Sequence, residues 1–322
     1  MKDKIMHLLR KITVAFAIFI VLTGSALGQP KQSLTDTAFV DVPVQFDGKY
    51  LLTPVSIDNH NLMFVLDTAA GGSVISPATR DAIGFGDKDG EISEVVGAGG
   101  TVKYQSLRVP SIGIGGHKQE NFNVTVIDLK KFQKKDGQPY AGLLGNDFLR
   151  AFDVEINLPA SRLRLYPHDA NGRVTVSRLN KRASVPNLAA SEGFIVLNVF
   201  VEGKSVEAIL DSGAPASVMN WQAAKQAGIT RETKGVKRRE QGISGIGTQV
   251  ADTYLYCFKK IKVGDMRFTP EDTRIADLSI FKALGLSEKP AMLFGLDMLK
   301  NRILFVSYST KKLYFYKPSS SL

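Results

Sequence analysis

The chain repeats itself, and this duplication constrains its fold more than any other sequence feature. The segment Leu62–Ala70, LMFVLDTAA, returns 144 residues later as VEAILDSGA over Val206–Ala214. A second pair of segments, GLLGNDFL at Gly142–Leu149 and MLFGLDML at Met292–Leu299, is offset by 150 residues. The landmarks follow the same order in both halves. The sequence therefore predicts two homologous lobes.

Between the repeated segments the pattern is typical of β-structure. Short runs rich in Val, Ile, Phe and Tyr are bounded by Gly, Asn, Asp or Pro. These runs are Leu51–Ile57, Asn123–Ile127, Phe194–Val201 and Tyr254–Val263, with strand hairpins expected over Asp153–Tyr166 and Ile303–Tyr316. Helical signals are confined to short pieces; Ser76 can cap one such helix and Asn220 its counterpart. We predict an all-β fold with short helices.

The first 28 residues are typical of an export signal. Basic residues precede an uninterrupted apolar run over Ile12–Leu22, and the small residues Ala26 and Gly28 suit cleavage before Gln29. The run is shorter than the roughly 20 apolar residues that span a bilayer. We therefore expect an exported protein of the periplasm or the extracellular space, which meets the membrane only transiently. An uncleaved anchor is the alternative.

A polar, basic stretch separates the two lobes. Turn-forming pairs punctuate residues 169–187, which we predict to be a linker. The N-terminal lobe then covers residues 29–168, after the signal peptide at residues 1–28, and the C-terminal lobe covers residues 188–322. So short a linker favours pairing of the lobes within one chain, and thus a monomer. The alternative is a homodimer in which each lobe pairs with its twin in another molecule.

The residue counts exclude several kinds of chemistry. A single cysteine, Cys257, cannot form a disulfide framework or a thiolate metal cluster, and the four histidines lack metal-ligand spacing. We therefore expect no metal and no cofactor. The formal net charge is +10, but no nucleic-acid motif accompanies the basic residues, so no nucleic-acid partner is expected. Cys257 itself is expected to be a small buried hydrophobe within a strand.

Two repeated aspartates, Asp67 and Asp211, each end an apolar strand and open a turn of small residues. A carboxylate there is poorly solvated, and small neighbours let another backbone approach. If the lobes pack about a pseudo-twofold axis through these turns, the two carboxylates become neighbours and hold one proton between them. The ionised group can then take a proton from water while the protonated one polarises a peptide carbonyl. The alternative is a turn-capping role for each aspartate.

These residues resemble the aspartic peptidases of the retropepsin and pepsin type, with a repeat spacing similar to bacterial single-chain retropepsin-like proteins. The matching segments are Asp211-Ser212-Gly213-Ala214, Asp67-Thr68-Ala69-Ala70 except at its third residue, Leu143-Leu144-Gly145 and Leu293-Phe294-Gly295. The resemblance implies a two-lobed acid-protease fold and an endopeptidase of extended polypeptides. It implies that Asp67 and Asp211 are the catalytic pair. Supporting residues would be Thr68 and Ser212, bonded across the axis, with Ala69 and Gly213 beside them.

The family also covers its cleft with glycine-rich hairpins, called flaps. The segments in the matching positions contain Gly97, Ala98, Gly99 and Gly100, about 30 residues after the first aspartate, and Gly242, Ile243, Ser244 and Gly245, about 31 after the second. Glycine suits a hairpin tip that opens for substrate and closes to exclude water. Two flaps would make the cleft nearly symmetric. Gly113–Gly116 lies too far downstream and is expected to be an ordinary turn.

Ala69 stands where the family has glycine. Its methyl group could displace the turn, narrow the cleft or disfavour the backbone angles that glycine allows. The alternative function is therefore a non-catalytic peptide-binding protein on the same fold. Two further repeated aspartates, Asp147 and Asp297, are expected to be structural, at helix starts. The basic cluster of Lys234 and Lys237–Arg239 before the second flap is either a solvated loop or attracts an acidic substrate or an anionic envelope surface.

Overall fold

The computed structural model describes residues 39–87, 89–97, 99–130, 132–134, 136–167, 194–243, 245–246 and 250–316. The expected signal peptide and the expected linker lie outside these residues, as do Ala98 and Ser244 of the two glycine-rich segments. The boundaries drawn at residues 28, 168 and 187 therefore stay predictions.

Strands dominate the described residues. The first half contains β1 (Val40–Pro43), β2 (Gln45–Phe46), β3 (Leu51–Ile57), β4 (His60–Leu66), β5 (Val74–Ile75), β6 (Glu91–Gly97), β7 (Gly100–Ile114), β8 (His117–Val126), β9 (Gly142–Leu144), β10 (Phe152–Asn157) and β11 (Arg162–Pro167). The second half contains β12 (Val196–Val201), β13 (Lys204–Leu210), β14 (Val218–Met219), β15 (Lys237–Ile243), β16 (Ala251–Tyr256), β17 (Ile261–Val263), β18 (Met266–Phe268), β19 (Thr273–Ile275), β20 (Ala291–Phe294), β21 (Ile303–Ser307) and β22 (Lys312–Tyr316). The helices are α1 (Pro77–Ala82), α2 (Asn146–Leu149), α3 (Trp221–Gln226), α4 (Ser279–Ala283) and α5 (Leu296–Leu299). The predicted β-fold with short helices is confirmed.

Each half folds around its own large sheet. The strand orders are β2-β3-β4-β9-β5-β8-β7-β6 in the first lobe and β15-β16-β19-β14-β20-β13-β12-β17-β18 in the second. In the first lobe β9 runs parallel to β4 and antiparallel to β5, and β5 runs parallel to β8. In the second lobe β20 pairs in the same way with β13 and β14, and β14 with β19. The duplicated sequence thus folds twice into one arrangement, and the two-lobed fold is confirmed.

A third sheet joins the lobes, in the order β1-β11-β10-β21-β22. Strand β10 of the first half pairs antiparallel with β21 of the second, with Val154 opposite Val306. Both side chains are buried, so the joint between the lobes is itself part of the core. The Asp153 carboxylate accepts hydrogen bonds from the Ser307 hydroxyl at 2.6 Å and from the Ser309 hydroxyl at 2.8 Å. The two predicted hairpins, Asp153–Tyr166 and Ile303–Tyr316, supply four of its five strands.

Local sequence explains where two of the helices begin and end. The Ser76 hydroxyl accepts a backbone N–H of α1 at 3.1 Å, and the Asn220 side-chain oxygen accepts one of α3 at 2.9 Å. Such caps satisfy amides that the helix itself leaves unpaired. Gly84 and Gly228 follow these helices with φ of +90° and +83°, which glycine adopts without steric cost. Both predicted caps are confirmed.

Two predictions are wrong: the single strand over Tyr254–Val263 and the burial of Cys257. The run Tyr254–Val263 forms two strands, β16 and β17, because the chain turns between them. In that turn Phe258 is buried, and the Glu202 carboxylate accepts the next two backbone N–H groups at 2.6 and 3.0 Å. Those amides are therefore bonded to a side chain instead of a neighbouring strand. Cys257, which precedes Phe258, lies in the turn and is exposed instead of buried in a strand.

The Gly113–Gly116 segment is a strand turn, as predicted, and joins β7 to β8. A Cβ at Gly115 would lie 2.4 Å from a Val40 methyl carbon, and its φ is +55°. Glycine is required there because the turn packs directly against β1.

Candidate active site

The two repeated turns meet between the lobes. Asp67 follows β4 and Asp211 follows β13, so each carboxylate stands where a buried strand ends. A Cβ built on Gly213 would lie 2.3 Å from Asp67 Cγ and 2.4 Å from its Oδ2. The backbone of the second turn therefore touches the carboxyl group of the first. Only a residue without a side chain leaves room for this approach.

Four hydrogen bonds tie the turns together. The Thr68 N–H donates to Ser212 Oγ, and the Ser212 N–H donates to Thr68 Oγ1, both at 3.0 Å. The Thr68 hydroxyl donates to the Leu210 carbonyl at 2.9 Å, and the Ser212 hydroxyl donates to the Leu66 carbonyl at 2.8 Å. Thr68 and Ser212 are 1% and 0% exposed, so water does not compete for these bonds. The reciprocal pattern has twofold symmetry, and the bonds expected across the axis are present.

Burial raises the pKa of both aspartates, because a charged carboxylate is poorly solvated between the lobes. For Asp211, repulsion from the neighbouring Asp67 raises the pKa further. The N–H groups of Ala69 and Ala70 donate to Asp67 Oδ1 at 2.9 and 3.0 Å, which opposes the effect of burial by stabilising the charged form. Both carboxyl groups therefore hold a proton to a higher pH than an exposed aspartate does. Groups that interact in this way titrate as a pair.

Ala69 fits the first turn without backbone strain. Its φ lies outside the left-handed region that favours glycine. The residue is 7% exposed and belongs to an apolar cluster of the second lobe that includes Phe194, Ile209 and Leu293. The methyl group therefore packs against the opposite lobe, whereas the corresponding position in the second turn, Gly213, faces a carboxyl group. The two turns are chemically unequal.

Asp147 and Asp297 accept hydrogen bonds from the segments that follow the two aspartate turns. Asp147 accepts hydrogen bonds from the Ser73 N–H and hydroxyl at 2.8 and 2.7 Å, and Asp297 does the same for Ser217. Each lies in the first turn of its helix, α2 or α5, where the helix dipole favours a carboxylate. Their structural role is confirmed. Within the described ranges, no three His, Cys, Asp or Glu side chains are placed to hold a metal ion.

Two hairpins, one from each lobe, meet at their tips. The β6–β7 hairpin has Gly97 opposite Gly100, and the β15–β16 hairpin has Ile243 opposite Ala251. The Gly99 N–H donates to the carbonyl of residue 246 at 2.8 Å, which joins the tips. The hairpins lie at the sequence positions expected for flaps. Residues of the second hairpin line the cleft, among them Gly242, Ile243 and Gly245.

A cleft of about 1450 Å³ lies between the lobes and is lined by both aspartates. Two apolar parts of this cleft, called the apolar pockets below, adjoin the pair. The first lobe contributes Tyr50, Val74, Ile127, Phe132 and Leu143, and the second contributes Val218, Leu278, Ile280 and Leu293. Sequence reasoning missed these pockets, although Leu143 lies in a duplicated segment and recurs as Leu293, and Val74 recurs 144 residues later as Val218. The volume exceeds that of a typical small-molecule pocket and suits a longer, extended ligand.

The sequence profile described as "Aspartyl protease" matches residues 53–148 and 197–298, more than half of the chain. Over 188 residues the chain is 27% identical to DNA damage-inducible protein 1 of Chaetomium globosum, covering 58% of this chain and 37% of that protein. Over 156 residues it is 28% identical to the UBA domain-containing protein Mud1 of Schizosaccharomyces pombe, covering 46% and 40%. The matches thus span about two fifths of each relative. A retropepsin-like aspartic protease of Rickettsia conorii is a similar solved structure (18% identity, TM-score 0.33, 42% of this chain and 97% of that chain).

Proposed function

This chain belongs to the aspartyl protease family, and from that premise we propose that it is an active aspartic endopeptidase with Asp67 and Asp211 as its catalytic pair. One observation carries the proposal. The Asp67 carboxyl group lies directly against the backbone of the turn that presents Asp211, in a cleft between two bonded lobes. Among the described residues, no basic side chain is paired with either carboxylate, and both have a raised pKa because of burial.

The shared proton supports a water-mediated hydrolysis. The ionised carboxylate accepts a proton from a water molecule, while the protonated carboxyl donates a hydrogen bond to the carbonyl oxygen of the peptide bond. The water oxygen then attacks the carbonyl carbon and forms a tetrahedral intermediate. A carboxyl group of the pair passes its proton to the amide nitrogen, the C–N bond breaks to release the acid and the amine, and the pair is left with one proton, as at the start. Buried hydrogen bonds through Thr68 and Ser212 hold the two groups in place without rearrangement during the reaction.

The cleft supports an extended polypeptide as substrate. An extended chain can pair its backbone with strand edges and with the two hairpins, and its side chains alternate between opposite walls. The apolar pockets beside the pair favour apolar residues around the cleaved bond. The packing of Ala69 without strain supports catalysis over the alternative of a binding protein with a spoiled first turn.

Cleavage of an unbiased peptide library by the purified protein, from pH 3 to pH 7.5, tests the proposal. Wild type is compared with Asp67→Asn, Asp211→Asn and Ala69→Gly. We expect wild type and Ala69→Gly to cleave and both asparagine variants to lose cleavage. Cleavage that survives either asparagine substitution would refute the shared pair. A wild type that binds peptides and cuts none, with activity gained in Ala69→Gly, would favour the binding protein.

We also propose that the protein is exported and works as a monomer. Export rests on residues 1–28. Separately, among the described residues no helix is long and apolar enough to cross a membrane. The bonds between lobes of one chain, such as Val154 pairing with Val306, support a monomer. N-terminal sequencing of the exported protein should find Gln29 first; an intact Met1 in the membrane fraction would indicate an anchor. Activity that falls on dilution would indicate a dimer.

A further inference from the structure

The two lobes differ at one position beside their apolar pockets. In the first lobe Val74 of β5 pairs with Thr125 of β8; in the second, the equivalent Val218 of β14 pairs with Arg274 of β19. Directly paired residues on neighbouring strands project to the same face of a sheet. Arg274 therefore extends the row that lines the second pocket, where the first lobe has a buried threonine. Thr125 is 2% exposed, whereas Arg274 lines the cleft.

In the part of the chain that the structure describes, Arg274 is hydrogen-bonded to no acidic side chain. Within the described residues its guanidinium makes no hydrogen bond or ion pair, and the acid that influences it, Asp297, is bonded to the Ser217 N–H and hydroxyl. Burial and the nearby Arg239 guanidinium both lower the pKa of Arg274. Glu271 and Asp272 also line the cleft but are exposed. The second lobe thus presents a half-buried positive charge with its hydrogen-bonding capacity unused.

A second arginine strengthens this positive charge. Arg239 lies on β15, a strand of the second hairpin, and also lines the cleft. Two neighbouring guanidinium groups repel each other, and a carboxylate between them removes the repulsion and gains charge-assisted hydrogen bonds. Arg238, which precedes Arg239 in the chain, does not line the cleft. Its side chain is exposed and donates a hydrogen bond to the Asp252 carboxylate at 2.8 Å.

We propose that Arg274 and Arg239 form a subsite for an acidic side chain, so that this protein prefers polypeptides with Asp or Glu close to the cleaved bond, on the side held by the second lobe. The inference rests on the proposed peptidase function and narrows its substrate class. Since side chains of an extended substrate alternate, the acidic residue lies at a defined position relative to the residue in the apolar pocket. The first lobe, with Thr125, has no such preference.

The test uses eight-residue peptides with two central leucines and glutamine elsewhere, in which glutamate replaces glutamine at one position at a time. With wild type, glutamate at one position should raise kcat/KM by about tenfold or more, as expected for a charge-assisted contact. Arg274→Thr, which copies the first lobe, should abolish that gain, so that the glutamate and all-glutamine peptides are cleaved with equal kcat/KM. Arg274→Gln, which keeps most of the side chain, should behave alike. Arg238→Thr is the matched control and should keep the gain.

Binding separates this inference from the peptidase function. Fluorescence anisotropy with the Asp211→Asn variant should show the same glutamate preference in Kd, lost when Arg274→Thr is added. Equal affinity for both peptides, no binding of either, or a preference that survives Arg274→Thr overturns the subsite. A preference that depends on Arg274 without any cleavage by wild type leaves the subsite standing and refutes the peptidase. Cleavage by wild type with no glutamate preference refutes the subsite and leaves the peptidase function standing.

Discussion

Replacing Thr68 by valine isolates the hydrogen bonds that join the lobes at the candidate active site. Valine has nearly the same shape, so the packing of a side chain that is 1% exposed is kept. The change removes a hydroxyl that donates to the Leu210 carbonyl and accepts the Ser212 N–H. Both partners then stay buried without a bond, at about 1–3 kcal/mol each. We expect the free energy of unfolding to fall by about 2–6 kcal/mol, whereas the whole free energy of unfolding of a typical protein is roughly 5–15 kcal/mol.

The assay is urea unfolding together with kcat/KM on a cleaved peptide. Thr68→Ser is the matched control, because Ser212 makes the same hydrogen bonds in the second lobe. The free energy of unfolding of this variant should fall by about 1 kcal/mol because of the missing methyl group. Thr68→Val should unfold at clearly lower urea and lose most of its activity, because the turns are no longer held in register. A valine variant as stable and as active as the serine variant would refute the structural role of these bonds.

Three further predictions concern the pair and the hairpins. Burial raises the pKa of Asp211 in the folded state, so its ionisation destabilises the fold as pH rises above 3.8, the ordinary pKa of an aspartate. Asp211→Asn should therefore be more stable than wild type at pH 7 and similar near pH 3; thermal melts with no pH-dependent difference would contradict this. Gly213→Ala should lower kcat/KM by about a hundredfold, since its methyl group would lie 2.3 Å from Asp67 Cγ. Ala69→Gly should retain activity. Equal kinetics for the two variants would count against the close contact between residue 213 and the Asp67 carboxyl group. Gly99→Pro removes the N–H that bonds the opposite hairpin tip and should change KM several-fold. Gly99→Ala keeps that N–H and should leave KM unchanged. Identical KM values for the two variants in steady-state kinetics would show that the bond between the tips is unimportant.

Much of the fold was predictable because it depends on local rules. The caps at Ser76 and Asn220 use groups three residues apart, and the strand of Leu51–Ile57 agrees with the observed bounds. The run at Tyr254–Val263 was misjudged because its break depends on Glu202, which lies more than fifty residues away along the chain. A pattern of apolar residues carries no information about such a partner. Cys257 was misplaced for the same reason.

The candidate site divides in the same way. The duplication alone identified Asp67 and Asp211, because two copies of a short motif in register are improbable by chance. The segments of both hairpins and the expected bonds between Thr68 and Ser212 came from the resemblance to the aspartic peptidases. The duplication did not predict the sheet that β10 and β21 form together, since strand register between lobes depends on shape and burial across the whole molecule.

What the sequence by itself determined is a twofold plan: two lobes, two aspartates and two glycine-rich hairpins. What only the tertiary structure decided is how the departures from that symmetry act. Ala69 packs into the opposite lobe while Gly213 faces a carboxyl group, and Arg274 occupies the place that Thr125 has in the first lobe. These differences arise from contacts between residues far apart in the chain, and their chemistry depends on burial and on neighbouring charges, which a linear sequence does not contain.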